Sequence, residues 1–165
     1  MNLYLMRHGA ALTKEEAGVP EDAQRPLSPE GLATVRRVAS GLQSMGVQPA
    51  HLLTSPLLRA TQTASCVAKV LGCSARLEVC DALTPAHDPA DVQPQLDRFA
   101  KDEMLLIIGH QPLLGQLVLG LVFGGTSQEG LSIPPAGVCA LWLPDPPGSG
   151  HAVIRGVWDP ELFLR

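Results

Sequence analysis

The chain has 165 residues, a length that fits a single domain over 1–165 and buries roughly two-thirds of the surface that the unfolded chain exposes. Hydrophobic residues make up 45% and charged residues 17%, a balance that argues against a disordered chain. The net charge of −4 speaks against a general nucleic-acid binder or a protein held to an anionic membrane, which are usually basic.

No apolar run reaches the ~18 residues that span a bilayer. No basic region precedes the short apolar segment at the N-terminus, as it would in a signal peptide. The expected compartment is the cytoplasm. Cys66, Cys73, Cys80 and Cys139 lack the close pairing of zinc sites and are expected to be reduced packing thiols.

In chain order, "NLYLM" (2–6) reads as a buried strand. Residues 9–26 read as a polar loop, and the "KEE" run at 14–16 as part of it. Residues 27–46 predict a helix with Ser28 as N-cap and Pro29 at its first position. Its apolar stripe is Leu32, Val35, Val38, Ala39, Leu42 and Met45. A short strand follows at 51–55, then a helix over 56–72 with Gly72 as its stop. Residues 76–79 read as a strand, 80–91 as a loop and 89–102 as a helix that Pro94 delays or kinks. "EMLLIIGH" (103–110) repeats the opening pattern of an apolar run that ends in glycine and histidine. A strongly apolar helix is predicted over 112–125 and a loop over 126–137. Strands at 138–143 and 151–158 form a hairpin, with Trp142 and Trp158 packing in or near it. Alternating strands and helices predict a three-layer α/β/α sandwich with a mixed, mostly parallel sheet.

In such sheets ligands bind beyond the carboxyl ends of the parallel strands. Three segments bring polar groups to that edge. The first strand brings Arg7 and His8, the second leads through Ser55 and Pro56 to Arg59, and the fourth ends at His110 and Gln111. Two guanidinium groups suit a bidentate grip on phosphate oxygens. A histidine serves as nucleophile or proton carrier near neutral pH. Backbone N–H groups at helix starts add to this preference for anions. No metal is needed, and the carboxylates do not cluster with the histidines as ligands would.

"LMRHGAA", "TSPLLRATQTA" (54–64) and "IIGHQPLLGQL" (107–117) together resemble the histidine phosphatase superfamily, whose fold is phosphoglycerate mutase-like. "RPLSPEG" (25–31), "ALTP" (82–85) and the short length resemble its small phosphohistidine phosphatases of the SixA type. The resemblance runs through about residue 122 and is loose beyond it. It implies His8 as the nucleophile that becomes phosphorylated, Arg7 and Arg59 as the phosphoryl clamp, and His110 as a further contact that stabilises transition-state charge. It implies no cofactor. Gly9 allows a tight turn close to the phosphate. The second nitrogen of His8 should donate to a fixed acceptor such as a backbone carbonyl.

Many superfamily members that cleave phosphate monoesters carry an acid that protonates the leaving oxygen. Asp81, Asp88 and Glu78 are present in the corresponding region, but none sits in a clear acid motif. A phosphorylated imidazole leaves without such help, because its ring titrates near ~6.5 and departs neutral once protonated. The leading expectation is a phosphatase for a phosphohistidine-bearing signalling or phosphotransfer protein. A small-molecule phosphomonoesterase or mutase is the alternative within the same superfamily, and a non-catalytic phosphoprotein binder is the alternative outside catalysis.

Other residues read two ways. Arg25 is a third pocket cation or a partner in a loop salt bridge. Gln111 orients substrate or caps the next helix, and His87 lies at the surface or on the pocket rim. His51 and His151 are expected to be structural or exposed. The sequence leaves the partner, the pathway and the oligomeric state open.

Overall fold

The computed structural model describes residues 1–99, 103–125, 131–144 and 150–163. Six strands form one sheet: β1 (Asn2–Arg7), β2 (His51–Thr54), β3 (Leu77–Val79), β4 (Met104–Gly109), β5 (Val138–Trp142) and β6 (Val153–Trp158). Their order across the sheet is β3-β2-β4-β1-β5-β6. The four strands from β3 to β1 pair in parallel, while β5 and β6 are antiparallel. The sheet is therefore mixed and mostly parallel, as the alternating elements predict.

Both faces of the central strands are covered, which explains why their apolar runs are continuous rather than alternating. Leu105 and Ile107 of β4 enter one core with Leu3, Leu5 and Leu53. Two helices cover that face: α4 (Pro89–Leu96), through Val92 and Leu96, and α5 (Leu113–Phe123), through Leu114 and Leu117. Leu106 and Ile108 enter the opposite core with Met6 and Leu52, under α2 (Pro29–Ser44) and α3 (Leu58–Leu71). Each such side chain, fully buried, contributes about 1.5–3 kcal/mol, so the two middle strands are also the best anchored.

Helix α2 starts where its caps dictate. The Ser28 hydroxyl accepts the Gly31 N–H at 2.9 Å, and Pro29 takes the first position. Its buried face is Gly31, Val35, Val38, Ala39 and Leu42. The expected stripe needs correction at both ends, because Leu32 is 37% and Met45 49% exposed. Gly31 is the residue that meets the body of the protein, against the backbone of Ala10. That contact sets the rotation of the helix and turns Leu32 outward. Met45 lies past the last turn, at the C-cap.

Other expectations are corrected by local chemistry. The "KEE" run is not loop but a short exposed helix, α1 (Lys14–Ala17). Thr13 and Glu16 form a reciprocal capping box around its start. Helix α4 stops at Leu96, short of the expected 102, with Pro94 inside its last turn; residues 100–102 lie outside the described residues. Both tryptophans lie on the hairpin strands, as expected, but far apart along them. Trp142 is opposite Val153 and Trp158 opposite Val138, at the two ends of the β5–β6 ladder, and Trp158 stacks on Tyr4, with ring centroids 6.5 Å apart. Cys73, Cys80 and Cys139 are buried free thiols, while Cys66 is only half-buried. Burial raises the Cys139 thiol to about 11. Among the described residues, no helix is long and apolar enough to cross a membrane.

Candidate active site

The carboxyl ends of β1, β2 and β4 are tied together by the backbone. The His8 N–H donates to the Gly109 carbonyl at 3.1 Å, and the Ser55 N–H to the Ile108 carbonyl at 3.0 Å. Arg7 N–H reaches the Gly137 carbonyl at 3.0 Å. The Ala136 N–H lies 3.1 Å from both the Arg7 and the His8 carbonyls. Ala136 has a φ of 62°, a left-handed conformation that costs an alanine roughly 1–2 kcal/mol. Those two acceptors at the end of β1 hold it there.

Above these ends lies a pocket of about 390 Å³, lined by Arg7, His8, Arg25, Arg59, His110 and Gln111 together with Ala10, Ala11, Pro85 and Pro135. The structure thus brings together the four residues expected at this edge, and Arg25 with them. The His8 and His110 ring centroids are 4.8 Å apart, with the planes inclined at 55°.

His8 is fixed at both nitrogens. Nδ1 is 2.7 Å from the Gly9 carbonyl oxygen. A carbonyl only accepts, so Nδ1 carries the proton and donates. Nε2 then holds a lone pair, which accepts the Arg59 Nε–H at 3.3 Å. The two contacts agree on one tautomer. Burial, reinforced by Arg59, Arg7 and Arg25 against the opposing pull of the Gly9 carbonyl, lowers the His8 pKa to about 4. The ring is neutral at pH 7, with Nε2 nucleophilic.

His110 is 2% exposed. Its Nε2 lies 2.8 Å from the Ser55 hydroxyl, and that hydroxyl accepts the Leu57 N–H at 3.4 Å. The Ser55 hydroxyl keeps both a proton to give and a second lone pair to offer His110 Nε2; where it gives the proton, the imidazole proton sits on Nδ1. Burial first, then His8 and Arg59, lowers the His110 pKa to about 3. His110 is thus neutral and, in that tautomer, a donor. Its Nδ1 and the Arg7 Nε are buried nitrogens without a partner. An orphaned buried donor costs about 1–3 kcal/mol, and a bound oxyanion within reach relieves that cost.

The cations have anchors of their own. Arg7 donates to the Ile133 carbonyl at 2.9 Å, and burial lowers its pKa, aided by Arg59. Arg59 is buried and donates to the Asp22 carbonyl at 2.9 Å and the Asp22 carboxylate at 3.0 Å. Arg25 pairs with the same carboxylate at 2.8 Å and reaches the Leu12 carbonyl. Both readings of Arg25 hold, since it lines the pocket and makes a loop salt bridge. Asp22 stays ionised, its pKa lowered by the Arg25 hydrogen bond and by Arg59.

Two residues read from the sequence as phosphate contacts take scaffold positions. Gly9 is not among the pocket-lining residues. Its N–H donates to the Thr63 hydroxyl at 3.1 Å, so that N–H is not free for a phosphate. A side chain at Gly9 would meet Val35 Cγ2 at 2.6 Å, so glycine serves close packing here. Gln111 lines the pocket, but its amide donates to the Leu131 carbonyl and its oxygen accepts the Gly115 N–H. That oxygen takes an N–H of the first turn of α5, which the sequence reading left to an anion.

Asp81, Asp88 and Glu78 do not line the pocket; the segment between β3 and α4 contributes Pro85. Asp88 caps α4, and Glu78 pairs with Arg98 at 2.9 Å. His87 bonds Thr84 at 2.8 Å and is not a lining residue. His51 packs on Phe99 and His151 is exposed.

Sequence reasoning missed Asp22, Ser55 as a partner of His110, and Thr63. Thr63 had a signal: it stands four residues after Arg59, one helical turn on. It accepts from Gly9 and donates to the Arg59 carbonyl at 2.7 Å. Among the described residues, no three His, Cys, Asp or Glu side chains are grouped so as to hold a metal ion.

The family model described as histidine phosphatase superfamily (branch 1) matches residues 3–85, and the chain belongs to that superfamily. An uncharacterized protein of Picosynechococcus sp. is 38% identical over 99% of this chain and 94% of its own length. The phosphohistidine phosphatase SixA of Escherichia coli (strain K12) is 34% identical over 76% of this chain and 77% of that one. A protein named probable phosphoglycerate mutase GpmB, from Enterobacter sp. (strain 638), is 31% identical over 47% of this chain and 35% of its own. The structure of the protein histidine phosphatase SixA complexed with tungstate superposes with a TM-score of 0.87 at 29% identity, covering 100% of both chains. The chain is a phosphatase of this superfamily by fold and sequence.

Proposed function

We propose that this phosphatase hydrolyses phosphohistidine on a protein partner in the cytoplasm, through a phosphorylated His8. The observation that carries the nucleophile is the pair of contacts on His8: Nδ1 donates to Gly9, so Nε2 is the unprotonated nitrogen, and its lone pair is held at the pocket by a long 3.3 Å bond from Arg59 that an incoming phosphoryl group displaces. The Nε2 lone pair forms the new bond to phosphorus. The bond from phosphorus to the substrate imidazole breaks, and its electron pair goes to the leaving nitrogen. Where that imidazole is protonated on its other nitrogen, it departs neutral. The Gly9 carbonyl steadies the positive charge left on the phosphorylated His8 ring. Water then attacks phosphorus, the Nε2 electron pair returns to the ring, and the water's proton passes to solvent or phosphate. Arg7, Arg59 and the His110 Nδ1–H hold the oxygens throughout, so positioning and charge supply the catalysis without a metal.

The choice of phosphohistidine rests on the pocket wall. Among the described residues no carboxylate lines it, so an alkoxide has no acid to protonate it. The tungstate in the SixA relative is a tetrahedral oxyanion of the kind this pocket suits. A second reading, phosphomonoester cleavage or mutase chemistry, is favoured by the partial match to the phosphoglycerate mutase relative. Rates on a phosphohistidine protein and on a panel of phosphate monoesters, with EDTA present, separate the two. A specificity ratio that favours phosphohistidine supports the first reading; a ratio that favours monoesters overturns it. Tight phosphate binding with no turnover of either would mark a non-catalytic binder.

A further inference from the structure

Among the described residues, a concavity larger than the histidine pocket lies elsewhere. It is a groove of about 730 Å³ between α2 and α3. Both helices start at the sheet edge that carries the pocket, so the groove leads away from that edge. Its near end shares segments with the pocket. Arg25 lines the pocket and Leu27 the groove; Arg59 lines the pocket, and Thr61 and Gln62 the groove. The Gln62 side chain clamps the two segments by accepting the Leu27 N–H at 2.7 Å.

The groove has an apolar wall and a basic rim. Leu32, turned out of the core, is one of its exposed apolar residues. Val70 and the half-buried Cys66 extend that wall along α3. Arg36 and Lys69 stand beside them, and no acidic residue lines the groove. Among the described residues neither cation makes an ion pair. On a chain of net charge −4, two such cations beside exposed Leu32 and half-buried Val70 form a local field that favours an acidic partner. The lining from Thr61 to Val70 on α3 is roughly 14 Å long at 1.5 Å per residue, enough for two or three turns of a docked helix.

We propose that this groove docks an acidic amphipathic helix of the phosphohistidine-bearing protein and so selects which partner reaches His8. The inference rests on the proposed function for its partner class. The apolar face of the helix packs on Leu32 and Val70, and its carboxylates meet Arg36 and Lys69. This is helix-in-groove recognition, with charge setting specificity and encounter rate.

The test uses two labelled helical peptides with the same apolar face, one acidic and one basic on the polar face, each carrying an unphosphorylated histidine. Fluorescence anisotropy should show the acidic peptide bound, with affinity falling at high salt. The double variant Arg36→Glu, Lys69→Glu should weaken it about tenfold or more, and Leu32→Asp should weaken it independently. Equal binding of the two peptides, or equal binding by wild type and variant, overturns the proposal. Self-association in sedimentation that the double variant abolishes, without peptide binding, would assign the groove to a second copy and also overturns it. Turnover of a short phosphohistidine peptide is measured alongside and should be unchanged in the double variant. Loss of that turnover in wild type contradicts the proposed function and leaves the binding result to judge the groove alone.

Discussion

His8 Nδ1 stands 2.7 Å from the carbonyl oxygen of Gly9, the next residue in the chain. This contact decides which nitrogen faces the pocket, and it needs the backbone to turn back on the ring at once. Packing requires glycine at position 9, where a Cβ would meet Val35 at 2.6 Å and Leu27 at 3.2 Å. Gly9→Ala should therefore damage both fold and chemistry. The added methyl forces a shift of about 1–3 kcal/mol of lost stability, as overpacking does. Thermal unfolding should show that loss, and kcat should fall more than KM rises because the His8 acceptor moves.

Ser55 holds His110 in place, and in the proposed mechanism that contact bears on the rate. Ser55→Ala removes the hydroxyl bonded to His110 Nε2 and leaves a buried nitrogen unpaired, at about 1–3 kcal/mol. Steady-state kinetics should show kcat reduced by about tenfold with KM little changed. Ser55→Thr keeps the hydroxyl and should recover most of the rate.

Asp22 is the outer anchor of two pocket cations, Arg25 and Arg59. Asp22→Ala takes the carboxylate from both and leaves Arg59 on the residue-22 carbonyl and Arg25 on the Leu12 carbonyl; KM should rise about fivefold with kcat within about twofold. Asp22→Asn retains an acceptor oxygen and should fall between. An unchanged KM in Asp22→Ala would show that the arginines are held without it.

The pH dependence of stability follows from the lowered histidine pKa values. His8 titrates near 4 in the fold and near 6.5 when unfolded. Between those values the unfolded chain binds the proton and the folded chain does not. Stability from this group is therefore unaffected above about 6.5 and falls as pH drops toward 4, by on the order of 3 kcal/mol. His110, lowered to about 3, adds a loss of the same sign. Denaturant melts of His8→Asn should show a flatter decline between pH 6.5 and 4 than wild type. An equally steep decline would mean that the His8 pKa is not lowered.

Much of the site was legible because its residues follow strand ends. Apolar runs mark β1 and β4, and Arg7, His8 and His110 come immediately after them. Arg59 is the second residue of α3, just past the short link from β2. The supporting residues left fainter traces. Asp22 and Ser55 are common loop residues, and their value comes from partners 37 and 55 positions away. The rotation of α2 was misread because periodicity allows Leu32 or Gly31 to face inward, and only the contact with Ala10 decides. Thr13 and Glu16 have the three-residue spacing of a capping box, the local signal for α1. The separation of Trp142 from Trp158 follows from the hairpin register, which a Pro- and Gly-rich link does not specify.

The claim that His8 takes the phosphoryl group is tested most directly by rapid chemical quench. A phosphohistidine peptide carrying radioactive phosphate is mixed with enzyme and quenched in alkali, and the protein is mapped for label. The account predicts an acid-labile, alkali-stable label on His8, formed before free phosphate appears and absent from His8→Asn. Release of phosphate at the full rate by His8→Asn, or label on another residue, would contradict it.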